Sequence, residues 1–230
     1  MKLTKDQIDK LYKFTRQHYV EWYDLQSELV DHLANDIEQI WTTEPQLTFE
    51  QAKLKAFKKF GIFGFMDVVE KKQNAMSKRY FKLIWKEFIQ FFTIPKIVLT
   101  VSLFFAVLFF IRLIRHNEIV IFSMLTVLMS LPLISIFISG KKQKRKIKEG
   151  EKRYLFEDYI TNLGGLVTFF QFPFQIIINF DDNKIWTLNL ELFFTSVFVI
   201  FGLVLYIAIY IIPPKVREIL AKEHPEYQIS

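Results

Sequence analysis

The hydrophobic pattern changes character near residue 95. Before it, apolar residues recur every three or four positions among charged ones, the period of amphipathic helices. After it come long apolar runs. Thr4-Lys5-Asp6-Gln7 is a capping box, in which the Thr and Gln side chains each satisfy a backbone N–H at a helix start. It predicts a helix over 5–17. A second helix is expected over 23–41, with Leu25, Leu29, Leu33, Ile37 and Ile40 on its inner face. Asp24, Glu28, Asp31, Asn35 and Glu38 form an acidic stripe on its other side. Thr48-Phe49-Glu50-Gln51 is a second capping box. It opens a third helix with Ala52, Ala56, Phe57 and Phe60 turned inward and Gly61 as its stop. A fourth helix begins at Phe65 or Met66 and meets no strong breaker until Pro95.

The stretch 78–92 has a pattern of its own. Phe81, Ile84, Trp85, Phe88 and Phe92 share one face, and Lys78, Lys82 and Lys86 follow a four-residue spacing on another. A basic amphipathic helix of this kind lies on a membrane surface, its lysines against anionic lipid. The competing reading packs the same face on the head. We take residues 1–77 as a helical head and 78–94 as an interfacial neck, with Lys78, Lys82, Trp85 and Lys86 at the membrane surface.

Four later segments are long enough to cross a bilayer: about 97–114, 119–138, 160–180 and 190–212, the last stopped by Pro213-Pro214. The third contains Thr161, Asn162, Gln171, Gln175 and Asn179, and a re-entrant helix is its alternative. Thr161, Gly164, Thr168, Gln171, Gln175 and Asn179 fall at spacings of three and four, a polar seam on one helix face. Helix packing through small and amide side chains explains it, with a polar ligand or lipid headgroup as the sharper reading. Ser123, Thr126 and Ser130 make a smaller packing seam in the second segment. No ionisable residue stands mid-span, where proton-coupled carriers and voltage sensors place theirs.

Charge then sets orientation. The net charge is +6, but residues 1–95 hold 15 Lys/Arg against 13 Asp/Glu. The excess is local: residues 139–153 carry 8 Lys/Arg and 2 Glu. Read as a loop between spans, this excess marks the cytoplasmic side rather than nucleic-acid binding. Both termini, including the tail 214–230, are then cytoplasmic. Arg112 and Arg115 on the opposite side are expected to snorkel to the outer headgroups. Trp85 and Trp186 fall at the predicted interfaces. Of 26 Phe, 19 stand from Phe88 onward, which reinforces a membrane-embedded second half.

Candidate chemistry is sparse. There is no Cys, so disulfides, thiol nucleophiles and Cys-based zinc sites are excluded. No phosphate-binding loop, dinucleotide fingerprint or HExxH stands in the chain. The first residues carry no apolar run, so no cleavable signal peptide is expected. Glu28, His32 and Asp36 are spaced by four, with Asp31 beside them. A solvated, ion-paired helix face outweighs a metal site there, because one helix rarely completes a ligand set. No cofactor and no catalytic constellation is read.

The head resembles a known module. The residues that carry the likeness are Tyr23-Asp24-Leu25-Gln26-Ser27-Glu28-Leu29-Val30-Asp31-His32-Leu33, Ile37-Glu38, Leu47-Thr48-Phe49-Glu50-Gln51-Ala52 and Phe60-Gly61. They are similar to the HAAS-type or permease-prefix domain of bacterial membrane proteins, often encoded beside PadR-like regulators. The resemblance covers about residues 1–75, and Ile62-Phe63 stand where many relatives carry Asp-Pro. It implies a cytoplasmic signalling or regulatory role rather than an enzyme.

The expectation is an all-α protein: a small cytoplasmic helical head on a four-helix transmembrane bundle in a bacterial cytoplasmic (inner) membrane. Its expected role is a signalling or regulatory adaptor whose head binds a protein partner through Glu28, Asp31, His32 and Asp36. The alternative is an accessory subunit of a transport or efflux complex, with Thr168, Gln171, Gln175 and Asn179 at the contact. An integral-membrane lipid enzyme is the minor alternative. Expected partners are the anionic cytoplasmic leaflet and a cytoplasmic or membrane protein, with a homo-oligomer as a further arrangement and no nucleic acid.

Overall fold

A computed structural model describes residues 2–114, 118–166 and 187–227 of the 230-residue chain. Among them every regular element is helical. The head follows the local rules of its sequence. Helix α1 is Lys5–Gln17, and Thr4 and Gln7 form the expected capping box. Helix α2 is Tyr23–Thr43, and α3 is Phe49–Lys58 with the Thr48/Gln51 box in place. Leu25, Leu29, Leu33, Ile37 and Ile40 of α2 are all buried. They pack with Leu11 of α1, Ala52 and Ala56 of α3, and Phe65 and Val69. The turn out of α3 needs glycine twice: Gly61 has φ +80, and at Gly64 (φ +56) an added Cβ would lie 2.8 Å from the Phe57 ring.

Helix α4, Met66–Gln90, runs without a break through the expected head–neck boundary at 77/78. Nothing between those residues removes a hydrogen bond or forces a turn. The neck is therefore the second half of a head helix. Its Tyr80 and Ile84, with Phe91 just beyond its end, join a second core, built with α7 (Leu155–Thr161) and the C-terminal helices.

Helix α5 spans Lys96–Ile114. Helix α6 spans Glu118–Lys148, so residues 139–148 are helical and not the basic loop expected at 139–153. Lys, Gln, Arg and Ile hold a helix readily, the basic residues suit its C-terminal dipole, and no further breaker arrives until Gly150. Helix α7 ends at Thr161, and Leu163, Gly164 and Gly165 all take positive φ. An added Cβ at Gly164 would stand 2.4 Å from Tyr159 and 2.6 Å from Tyr80. The chain therefore turns here, and Thr161 and Gly164 do not begin a straight helical seam.

Helix α8 is Leu188–Tyr206, followed by a π-helical turn, Ile207–Ile211, and α9, Ile212–Glu223. Pro213-Pro214 was expected to stop this segment and does not. The two prolines sit in the first turn of α9, where an N–H has no partner within the helix, and the π-helical turn before them closes with the Ile212 N–H donating to the Ile207 carbonyl. The expected tail from 214 is thus largely helix, with Val216 and Leu220 buried.

Two helices among the described residues are long and apolar enough to cross a membrane: Lys96–Leu113 and Leu188–Glu223. Only 17% of the first is buried within the protein, so it is not a core helix. Its Val98, Leu99, Phe105 and Phe109 point outward, an apolar surface that water does not tolerate at this scale.

Candidate functional site

The acidic residues of α2 divide into two groups. Glu28 pairs with Lys72 of α4 at 2.6 Å, and Asp36 pairs with Lys59 at 2.6 Å. Asp31 and His32, between them, are exposed. The predicted stripe is thus pinned at both ends by lysines of neighbouring elements and open in the middle. Three residues beyond Lys59 the Gly61–Gly64 turn throws out Ile62, 99% exposed, and Phe63, 71% exposed.

On α4, Lys78, Lys82, Trp85 and Lys86 are all exposed, together with Phe81 and Ile89 and with Phe92 just past its end. The opposite side holds Tyr80, Ile84 and Glu87. Of the five-residue apolar face expected over 81–92, Ile84 belongs to the inner side. The inner side packs on α7 and the C-terminal helices and not on the α1–α3 head, as the competing reading of this helix had it. Its inner face is fastened to α9 by Arg79–Glu223 at 2.5 Å and by Lys215–Glu87 at 2.5 Å.

A third cluster joins the head to the C-terminal half. The Tyr23 N–H donates to the Arg153 carbonyl at 2.7 Å. The Trp22 indole N–H donates to Asp158 at 2.8 Å, and the Arg153 guanidinium donates to Asp158 at 2.6 Å and to Glu21. Asp24 accepts from the Leu155 N–H at the first turn of α7, 3.2 Å away, where a carboxylate meets the positive end of the helix. Burial pushes the Asp24 carboxyl above its ordinary value, and that N–H only partly offsets the rise. The Lys152 ammonium lies 3.5 Å from the Tyr23 ring centre, a cation–π contact. Behind the cluster the Tyr154 ring meets Tyr227 edge-to-face and His224 at a tilt.

Sequence reasoning took Arg153 only as topological charge and Asp24 only as part of a stripe. Trp22 was not singled out at all. The one local signal was Trp22-Tyr23-Asp24 itself, an aromatic pair and a carboxylate at a helix start with no capping hydroxyl.

Between the two long apolar helices, Arg112 of α5 donates to Glu191 of α8 at 2.8 Å, and the Glu191 side chain is only 3% exposed. Arg112 therefore has a protein partner and is not left to the headgroups alone. The seam residues Thr168, Gln171, Gln175 and Asn179, with Trp186 and Arg115, lie outside the described residues. Among those described, no three of His, Asp and Glu converge closely enough to hold a metal ion.

No protein-family model matches the chain, no curated protein matches its sequence, and no solved structure matches its fold.

Proposed function

We propose that the chain is a multi-pass membrane regulatory adaptor, not an enzyme, whose cytoplasmic head binds a protein partner. The observation that carries this reading is the pairing of chemistries on the head. Exposed Asp31 and His32 lie on α2, and Asp36 of the same helix is tied to Lys59, just before the exposed Ile62 and Phe63. A bare apolar tip beside an acidic face fits a partner that presents basic and apolar side chains together. The likeness of residues 1–75 to HAAS-type modules supports the same role.

The apolar runs at 119–138 and 160–180 support four spans in all. The basic run from Lys141 to Arg153 supports a cytoplasmic position for it and for both termini, in a bacterial cytoplasmic membrane. The exposed Lys78, Lys82, Trp85 and Lys86 support contact of α4 with that leaflet.

The test is affinity purification of the full-length protein in mild detergent from native membranes, beside the variants Asp31→Lys and Phe63→Ser. The expected result is a partner protein recovered with the parent chain and lost from both variants, with membrane integration unchanged. The same companions with all three chains, or none with the parent, overturns the reading.

A further inference from the structure

The basic end of α6 does more than mark a side of the membrane. Ser135, Ser139, Lys142 and Lys146 stand at spacings of four, three and four, on one face of the helix. That face borders a cavity of about 80 Å³. Arg217, one turn beyond Pro213 on α9, lines it from a second element, and Thr161 at the end of α7 from a third. Three cations therefore meet one carboxylate, Glu157, among hydroxyl donors. Lys146 is held half inside, 3.6 Å from Glu157 and 3.3 Å from Glu151.

Size and setting narrow the ligand. The cavity is several times larger than the roughly 10–15 Å³ that one water needs, yet far below the roughly 300–1,000 Å³ of drug-sized sites. Its volume suits one compact group the size of a phosphate. Gln143 adds an amide to the lining, and one wall is apolar, from Ile160, Leu163 and Ile209, the last within the π-helical turn. Such widened turns recur where a helix is shaped for a ligand. Along α6 the turn before Ser139 carries outward-facing Ile134, Phe137 and Ile138. The helix passes from exposed apolar surface to Lys142 within about one turn, the change met at the depth of lipid headgroups.

We propose that this cavity binds a phosphate group, presented by an anionic phospholipid of the surrounding leaflet. Ser135 and Ser139 supply neutral donors, and Lys142, Lys146 and Arg217 supply the charge. The π-helical turn holds the apolar wall along which the lipid's glycerol and first methylenes lie. The site depends on the chain being embedded in a bilayer and not on what the head binds.

The test uses the full-length protein in phosphatidylcholine nanodiscs with phosphatidic acid titrated in, and inorganic phosphate as a separate arm. Native mass spectrometry counts retained lipid, and equilibrium dialysis reads phosphate. The double variant Lys142→Gln/Arg217→Gln is expected to weaken phosphatidic acid binding about tenfold, and Lys142→Gln alone, at an exposed position, about threefold. The control pair Lys144→Gln/Lys148→Gln removes the same charge from exposed positions outside the cavity and is expected to retain binding. Equal loss in both pairs reduces the effect to surface charge and overturns the site, as does absence of saturable binding of either probe. Saturable phosphate binding with no preference for the lipid supports the cavity and overturns the lipid as its source.

Discussion

Glu87 of α4, 5% exposed, meets Lys215 of α9 at 2.5 Å. A carboxylate buried on the inner face of one helix is thus neutralised by a lysine just past a proline pair on another. A buried charge is tolerated when paired and costly when its partner is removed. Lys215→Met is expected to destabilise the protein by about 2–4 kcal/mol, less than a fully buried pair because the lysine keeps some solvent. Adding Glu87→Met to the same chain restores most of the loss. Chemical denaturation in detergent of the two single variants and the double completes the cycle, and a double variant no better than Lys215→Met contradicts the pairing.

The head is tied on through Trp22 and Asp158, 136 residues apart in sequence. Trp22→Phe keeps most of the ring and removes the N–H donor. Its expected cost is about 1–2 kcal/mol, the loss of a hydrogen bond to a charged group. Hydrogen exchange is expected to quicken at residues 20–24 and 153–158 while the α1–α3 core keeps its protection. Uniform loss across the head means that the indole stabilises the head fold instead of the junction.

Asp24 makes the junction sensitive to pH. Burial raises its folded carboxyl above the unfolded value, so its contribution is fully present below the unfolded pKa. That contribution is lost as pH rises through the folded pKa. Junction protection in the parent chain is expected to decline from the ordinary carboxylate range toward neutrality, and Asp24→Asn, which still accepts from Leu155, flattens that slope. Asp24→Ala removes the acceptor and weakens the junction at every pH. An identical slope in parent and Asn variant assigns the titration elsewhere.

The outer face of α4 can be placed directly, because the chain has no cysteine to remove first. A nitroxide on Lys82→Cys in vesicles is expected to respond more to oxygen and less to a polar nickel chelate than one on Asn35→Cys of α2. Addition of anionic lipid strengthens the contrast. Equal accessibility at the two positions removes α4 from the membrane surface.

How far these features were legible depends on range. The starts of α1 and α3 were readable because Thr4/Gln7 and Thr48/Gln51 close their boxes within three residues. The inner face of α2 was readable because burial of Leu25 through Ile40 follows one period. The junction was not, because Trp22 and Asp158 belong to different cores and no local pattern links them. Pro213-Pro214 misled for a related reason: a proline pair ends a regular helix, and the π-helical turn that accommodates it has no signature in the sequence. The open middle of the acidic stripe also had to await the structure, since Lys72 comes from α4 and Lys59 from the turn after α3.

The unbroken α4 has a mechanical consequence. Its 25 residues make a rod of about 37 Å at about 1.5 Å per residue. One end is built into the head core through Val69, and the other borders the first span. A tilt of about 10° at one end displaces the other by about 6 Å, a simple property of a stiff rod of that length. Val69 in the head core and Tyr80 and Ile84 in the second core stand on this one rod, so neither core can shift against the other without moving or bending α4.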